Sequence, residues 1–422
     1  MTRPPIPALP DALGMPPVRS LRLPNGVSLH LLPADQFEVL RVTFVFRAGS
    51  VHQHRPFAAS VTANMLAEGS PGMPARRIAE RLDYYGSYYE VSIDRDFVYL
   101  SFCTLSKFFR ETLDVAADIL LRPLFPEEEF RTYCARRRQE LTIERTKVET
   151  RARERFAACM FGEQHPYGIS SPAGEYDRLA RTDVEAHYAR LYTADNCFVV
   201  CSGRIGDAER DAVADLAARL PRGTRADADF PPVRTEHRAF VPHPGAVQSS
   251  IRIGRLLFPR THPDFTGMQV VATALGGYFG SRLMRTLREE RGYTYGVAAA
   301  MVNFEREGYF AVATQVGSAV TRDALAAIDE QIARLACEPM PEEELALVKN
   351  IMAGEMMRIL DGPFGIADVT IENLLCGTGN GAVDENLRRI RAVTPDEVRR
   401  LAARYLGRGE LVTVVAGVES PW

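Results

Sequence analysis

The spacing of apolar residues predicts a regular succession of strands and helices in the first half of the chain. Continuous apolar runs are typical of buried strands, and apolar residues three and four apart indicate helices. Strict alternation of apolar and polar residues indicates antiparallel strands. The predicted elements are strands at 42–46 and within 88–103, and helices at 57–66, 76–85, 109–121 and 127–156. This order predicts an α+β fold with an antiparallel-rich sheet and helices packed on one face.

The second half repeats this order. Its predicted elements are strands at 249–257 and within 294–317, and helices at 268–287, 321–336 and 341–359. A shared motif strengthens the comparison, because an amphipathic helix leads into a buried strand that ends at glycine in both halves. The first copy is Asp183-Val184, Tyr188 to Tyr192 and Phe198 to Gly203, and the second is Glu397-Val398, Arg404 to Leu406 and Val412 to Gly417.

A repeat of about half the chain predicts two homologous domains and not a solenoid. Residues 220–232 are polar and punctuated by proline and glycine, which is typical of a linker. We therefore predict a first domain at 1–225, a linker at 226–238 and a second domain at 239–422.

Composition narrows the class of protein. A length of 422 residues suits two or three domains, and a net charge of -3 argues against phosphate-driven binding of nucleic acid. Prolines within Met1 to Pro10 interrupt the apolar stretch that a secretory signal needs, and no window reaches the roughly 18 apolar residues of a membrane span. We expect a cytoplasmic protein that binds neither nucleic acid nor membrane.

The seven cysteines are scattered and lack paired metal-ligand spacing, which favours reduced packing residues. Cys197 and Cys201 lie closest, but four residues along a strand separate them by roughly 13 Å, beyond the reach of a disulfide.

The run SRLMRTLREERGYTY at 281–295, preceded by Gly276-Gly277, carries the most specific signal. Taken alone, it also fits a charged helix end and a turn into a strand. At this spacing and in this half, it resembles the second-domain signature of the insulinase/pitrilysin (M16) family of zinc peptidases. The resemblance implies that Arg288 and Tyr295 donate hydrogen bonds to a substrate bound at a zinc ion, and it covers roughly residues 21–417.

In that family the zinc lies on an inverted His-x-x-Glu-His helix of the first domain. Met65 and Gly69-Ser70 set the register, which places Ser60 and Asn64 at the histidines and Ala63 at the glutamate. Glu140 resembles the remaining glutamate ligand, and His165 to Gly168 resembles a family turn. One carboxylate does not hold zinc, since such sites need at least three protein ligands. We therefore expect no metal and no cofactor in this chain, and Glu140 in an ion pair with a neighbouring arginine.

The sequence gives little support for a different metal site, a nucleophile or nucleotide binding. His52 and His54 form a His-x-His pair without a third ligand, and we interpret them as solvated loop residues. No nucleophile elbow or phosphate-binding loop is present.

The resemblance implies a non-catalytic, substrate-binding subunit of a heteromeric peptidase, inactive alone. A zinc-bearing partner subunit and a peptide would complete it, with Arg288 and Tyr295 acting in trans. Gly86 and strand 88–93 resemble the region where family members dock substrate as an added strand. The tyrosines at 84, 85, 88 and 89 depart from the family pattern there, and packing and chamber lining both remain open.

Two alternatives stand beside this hypothesis. A structural or peptide-binding protein would keep the fold without its chemistry, and a self-contained metallopeptidase would need a zinc site that the sequence does not offer. Whether the chain forms homodimers in isolation is left open.

Overall fold

A computed structural model describes residues 11–407 and 409–422. The expectation that the chain carries no secretory signal rests on Met1 to Pro10, which lie outside the described residues. None of the described helices is long and apolar enough to cross a membrane.

The first half contains one large sheet and one short two-stranded ribbon. Its strands are β1 (Arg19–Arg22), β2 (Ser28–Pro33), β3 (Val39–Phe46), β4 (Gly69–Ser70), β5 (Met73–Pro74), β6 (Tyr88–Ile93), β7 (Val98–Leu105) and β8 (Cys197–Gly203). The sheet order is β1-β2-β8-β3-β7-β6, and β4 pairs with β5 in a separate short ribbon. Strands β2 and β8 are parallel, and the other neighbours are antiparallel. Strand β6 is a free edge of this sheet.

Helices of the first half follow the predicted order. They are α1 (Ala58–Met65), α2 (Ala75–Tyr85), α3 (Phe109–Leu121), α4 (Glu127–Glu144), α5 (Val148–Phe161), α6 (Arg181–Leu191) and α7 (Asp207–Ala218). The predicted helix at 127–156 is two helices, because the chain turns at 145–147. Helices α1, α3, α6 and α7 bury their apolar faces in one core with β3, β7 and β8.

The second half repeats the arrangement. Its strands are β9 (Arg238–Pro242), β10 (Gln248–Leu257), β11 (Val297–Asn303), β12 (Gly308–Gly317) and β13 (Val412–Gly417). Their order is β11-β12-β10-β13-β9, with β11 at a free edge. The helices are α8 (Phe265–Ala272), α9 (Thr321–Cys337), α10 (Glu342–Ile359), α11 (Pro363–Leu375), α12 (Gly381–Ala392) and α13 (Pro395–Tyr405). The predicted α+β fold class is confirmed.

The connection between the halves runs through residues 219–237, a fully described segment without helix or strand. The predicted linker at 226–238 lies within it, except for Arg238, which begins β9.

Two helices cross between the halves, which the sequence did not predict. Helix α5 of the first half packs on β9, β10 and β13 of the second sheet, and α11 of the second half packs on β2 and β8 of the first. Phe156, Met160 and Phe161 of α5 are buried with Val412 and Val414. Each sheet therefore carries its own helices on one face and a helix from the other half on the opposite face.

The α11 contact mirrors the α5 contact. Ala367 and Ile371 of α11 are buried in one cluster with Leu32, Val45 and Val200 of the first sheet. A polar contact also joins α11 to the first sheet, because Arg41 of β3 forms an ion pair with Asp368 of α11.

We expect Phe156→Ala to lower the free energy of unfolding by about 3–5 kcal/mol, the usual loss for a buried phenylalanine. Phe156 is 5% exposed, and a Cβ at Gly254 would lie 2.8 Å from its ring, so the sheet is shaped around this side chain. Urea denaturation measures the change. The control is Ile143→Ala on α4, 53% exposed, which should stay within about 0.5 kcal/mol of wild type. Equal stability of the two variants would contradict the role of α5 in joining the halves.

Candidate functional site

The predicted helix at 268–287 is wrong in its continuity, and the break shapes the site. Helix α8 ends at Ala272, a π-helical turn spans Thr273–Gly277, and a second π-helical segment spans Met284–Glu290. Gly276 leaves helical geometry with φ -158° and ψ 16°. A Cβ there would lie 2.6 Å from the Ala299 backbone nitrogen, so only glycine allows this approach to β11. π-Helical segments are rare and are frequently found at functional sites.

Arg288 contacts Phe279, and Phe279 lines the same cleft as Tyr295. The Arg288 guanidinium lies 4.7 Å from the centroid of the Phe279 ring, a cation–π contact. Gly292, with φ +64°, lies at the turn after the π-helical segment, and Tyr295 follows it at the surface. Tyr295 is 90% exposed and Phe279 62% exposed. Among the described residues, neither the Tyr295 hydroxyl nor the Arg288 guanidinium has a hydrogen-bond or ion-pair partner.

A cleft of about 670 Å³ opens beside Tyr295 and Phe279. Its floor is formed by residues of β10, β11 and β12 of the second sheet. The floor and far wall are formed by Ser250, Arg252, Ala298, Ala313, Gln315 and, from the first half, Glu149. Small alanines at the free edge leave the β11 backbone open to an added strand.

Polar groups at the back of the cleft are already paired with each other. Gln315 Nε2 donates to Glu149 Oε2 at 2.9 Å, and Arg252 forms a 3.4 Å ion pair with Glu149. Burial lowers the pKa of Arg252. Arg252 lies between the buried residues Ile251 and Ile253 of β10, and a charge at this place in a strand is the signal by which the sequence could have indicated this cleft.

The first-half helix that aligns with the zinc helix satisfies its own polar groups. Ser60 Oγ donates to the Phe57 carbonyl at 3.0 Å, and Asn64 Nδ2 donates to the Ser60 carbonyl at 2.8 Å. Ala63 is fully buried and offers no ligand. These side chains do not fit a zinc ion.

Glu140 forms the predicted ion pair. Arg137 Nη1 donates to Glu140 Oε2 at 2.5 Å, and Arg136 Nε lies 3.7 Å from Glu140 Oε1. The described residues contain no group of three His, Cys, Asp or Glu side chains placed to hold a metal. No contact among them joins Arg288 or Tyr295 to Ser60, Asn64 or Glu140.

The interpretation of His52 and His54 as solvated residues holds for His54 and is wrong for His52. His54 is exposed, whereas His52 is 6% exposed and its carbonyl accepts a hydrogen bond from Arg190. His187 is buried nearby, with Nε2 3.0 Å from the Ala48 carbonyl. Burial lowers the pKa of each buried histidine to about 4, and the charge of Arg47 adds to the effect on His52.

The tyrosine cluster divides between surface and core. Tyr84 and Tyr88 are 81% and 73% exposed, on either side of Gly86 at the start of edge strand β6. Tyr89 points inward and stacks on Phe102 with ring centroids 5.0 Å apart. Burial raises the pKa of Tyr89. The exposed pair therefore lies beside the strand that the family resemblance connects with substrate docking.

Comparisons with known proteins show that this fold, with its two repeated sheets and exchanged helices, is similar to that of M16 peptidases. Residues 178–352 match the family model described as peptidase M16 inactive domain. A protein described as an uncharacterized zinc protease of Streptomyces coelicolor is 23% identical over 372 residues, covering 83% of this chain and 79% of that protein.

Solved structures are also similar to this chain in fold. The peptidase M16 inactive domain from Pseudomonas fluorescens has a TM-score of 0.87 at 22% identity, covering 96% of this chain and 98% of that one. A protease from Helicobacter pylori has a TM-score of 0.85 at 14% identity, covering 95% and 99%. These similarities confirm the resemblance to the M16 peptidases.

We expect the purified chain to contain well under one zinc ion per molecule, because Ser60, Ala63 and Asn64 supply no strong ligand and Glu140 is held by arginine. Elemental analysis after gel filtration measures the metal content. Stoichiometric zinc in the isolated chain would overturn the assignment of these positions.

We expect acid to destabilise the protein partly through His52 and His187. Their folded pKa values, about 4, lie below the unfolded value near 6.5, so protonation favours the unfolded chain. Their stabilisation is complete above about pH 6.5 and is lost as pH falls towards 4, at roughly 2–3 kcal/mol each.

Urea denaturation between pH 7 and 4.5 measures this effect. Burial raises the pKa of Asp96, which acts in the opposite direction, so the histidine contribution is the difference between wild type and His187→Gln. The glutamine keeps a donor for Ala48 but does not titrate, and its stability should fall less steeply with acid. Identical pH profiles would show that His187 does not contribute.

Proposed function

We propose that this chain is a non-catalytic, substrate-binding subunit of a heteromeric M16-type zinc peptidase. A separate subunit would carry the intact zinc helix, and Arg288 and Tyr295 would complete its active site. One observation carries the proposal: Tyr295 lines an open cleft, Arg288 stacks on Phe279 of the same cleft, and neither has a polar partner among the described residues. The matching of residues 178–352 to the M16 inactive domain supports a non-catalytic member of this family.

The chemistry of the two side chains suits this role. The planar guanidinium of Arg288 stays charged and can donate to two acceptors, and stacking on Phe279 restricts its orientation. The Tyr295 hydroxyl can donate to a substrate carbonyl or to the oxyanion formed during hydrolysis. Such donors contribute roughly 3 kcal/mol each when they are aligned in a water-poor site. The cation that polarises the carbonyl is expected in the partner, since the described residues contain no group of side chains placed to hold a metal.

The peptide would bind by its backbone. Strands β6 and β11 are free edges of their sheets, and an extended peptide can add to such an edge with little sequence preference. Exposed Tyr84 and Tyr88 beside β6 would contact its side chains. We place this complex in the cytoplasm, as composition suggests, without a role for nucleic acid or membrane.

A structural or peptide-binding protein without peptidase chemistry is the second candidate. Exposed Tyr84 and Tyr88 beside β6 support peptide binding alone. In such a protein the unpaired side chains of Arg288 and Tyr295 would have no role. A self-contained metallopeptidase finds no support in the geometry of Ser60, Asn64 and Glu140.

We expect Arg288→Ala to lower kcat for peptide hydrolysis about 10²–10³-fold in the complex co-purified from the native host, because a donor to the developing oxyanion is lost. Gel filtration should show an unchanged complex. The matched control is Arg285→Ala, which should keep wild-type turnover. Arg285 is an exposed arginine on the same π-helical segment, and in the described structure it makes no cation–π contact with Phe279.

The outcomes separate the candidates. Unchanged turnover in Arg288→Ala would remove Arg288 from the mechanism. A chain that co-purifies with no zinc-bearing partner and hydrolyses nothing would favour the second candidate. Zinc and activity in the lone chain would favour the self-contained enzyme.

A further inference from the structure

The cleft of the second sheet contains an arginine whose hydrogen-bond donors are only partly used. Arg252 Nη2 donates to Glu149 Oε1 at 3.4 Å, which is longer than the roughly 2.7–2.9 Å of a well-formed arginine–carboxylate bond. The Nε atom of Arg252 is buried and has no hydrogen-bond partner in the described part of the chain. A guanidinium carries several donors and can hold one carboxylate through two of them. Arg252 therefore keeps the capacity for a second, better-aligned carboxylate.

The strand register places Arg252 in line with the open edge of the second sheet. Arg252 of β10 pairs with Ala313 of β12, and Ala313 pairs with Ala298 of β11. Side chains of directly opposed residues lie on the same face of a sheet, so these three residues form one row across it. Both residues between Arg252 and the edge are alanines, and both line the cleft. Within this row, no side chain larger than a methyl group lies between the edge and the arginine.

The neighbouring rows of the same face are occupied differently. On one side, the row of Gly254 is covered by α5, because a Cβ at Gly254 would lie 2.8 Å from the Phe156 ring. On the other side, Gln315 Nε2 donates to Glu149 Oε2 at 2.9 Å. Of these three rows, the row of Arg252 is the one that leads from the edge to a cation.

A peptide added to β11 would lie at the end of this row. Its backbone would be about 14 Å from the backbone of Arg252, since three strand spacings of roughly 4.8 Å separate them. An extended arginine side chain and an extended glutamate side chain together bridge such a distance. The shorter side chain of aspartate and the terminal carboxylate of the peptide fall short of it. The geometry therefore favours glutamate as the partner of Arg252.

We propose that the second-sheet cleft selects peptides that carry a glutamate side chain, and that Arg252 is the residue that determines this specificity. This selectivity rests on the proposed function, because it requires a peptide to lie along β11. Glu149 pairs with the guanidinium in this structure and would be displaced by the peptide glutamate. Arg288 stacks on Phe279 of the same cleft, so two arginines and one acid surround the peptide, and this charge balance attracts an anion.

Peptide binding to the isolated chain tests this inference without reading activity. Two fluorescein-labelled peptides with amidated C-termini are compared, and they differ only in a central glutamate or glutamine within an uncharged, extended sequence. Fluorescence anisotropy should show roughly tenfold tighter binding of the glutamate peptide to wild type. Arg252→Gln should bring the two affinities close to equality. The matched control is Arg255→Gln on the same strand, which should keep the wild-type preference because Arg255 pairs with Glu410 and does not line the cleft.

Glu149→Gln provides a second test, in case Arg252→Gln does not fold. It removes the competing carboxylate, so the glutamate peptide should bind roughly threefold tighter than it binds wild type, with the glutamine peptide unchanged. The control is Glu154→Gln, also on α5, which should change neither affinity because Glu154 pairs with Arg145.

The outcomes distinguish this selectivity from the proposed function. Equal binding of both peptides to wild type, or a preference that survives Arg252→Gln, would overturn the selectivity and leave the proposed function standing. An unchanged affinity of the glutamate peptide for Glu149→Gln would show that Glu149 does not compete, and would also overturn it. Binding of neither peptide would overturn the selectivity together with the docking of a peptide at β11.

Discussion

The exchange of helices α5 and α11 between the two sheets is the contact on which the rest of the structure depends. An exposed sheet face would leave apolar residues such as Val200 and Val414 in water, and each half covers the other's face with one helix. Burying a side chain of this size is worth roughly 1.5–3 kcal/mol. Because the covering is reciprocal, neither half buries its own sheet fully, and the two repeats form one unit with a shared interior.

A polar junction fixes the relative position of the halves at the hairpin tips. Tyr167 Oη donates to Asp96 Oδ1 at 2.7 Å and stacks on Phe304 of the second half. The Glu305 amide donates to Asp96 Oδ2 at 2.9 Å, while the Glu305 carboxylate pairs with Arg47. Directional bonds of this kind specify one arrangement where apolar contact alone would allow sliding. At the start of α5, Glu149 contacts Arg252 and Gln315 in the wall of the cleft, so the packing of α5 on the second sheet also shapes the cleft.

The local pattern of apolar residues was sufficient to predict most helices and strands, but not which elements pack against each other. The strands at β3, β7, β10 and β12 follow from periodicity, and the repeat predicted the common order of both halves. Periodicity predicts that α5 has an apolar face, but it does not predict which sheet packs against that face. The break at Gly276 depends on Ala299, distant in sequence, and the burial of His52 depends on the packing around it. The ion pair of Glu140 could be predicted because its partners lie within one helical turn.

The two aligned regions of the resemblance differ in how their polar groups are satisfied. Ser60, Asn64 and Glu140 all have partners within the chain, and a polar group that is already bonded gains little from a ligand. Arg288 and Tyr295 have no polar partner among residues 11–407 and 409–422, so a substrate can bind them without breaking a hydrogen bond or ion pair there. Phe279 stacks on Arg288, and neither polar group forms a hydrogen bond or ion pair within the described part of the chain. Unpaired donors therefore lie beside the second-sheet cleft, whereas the polar groups at the aligned zinc positions of the first half are already bonded within the chain.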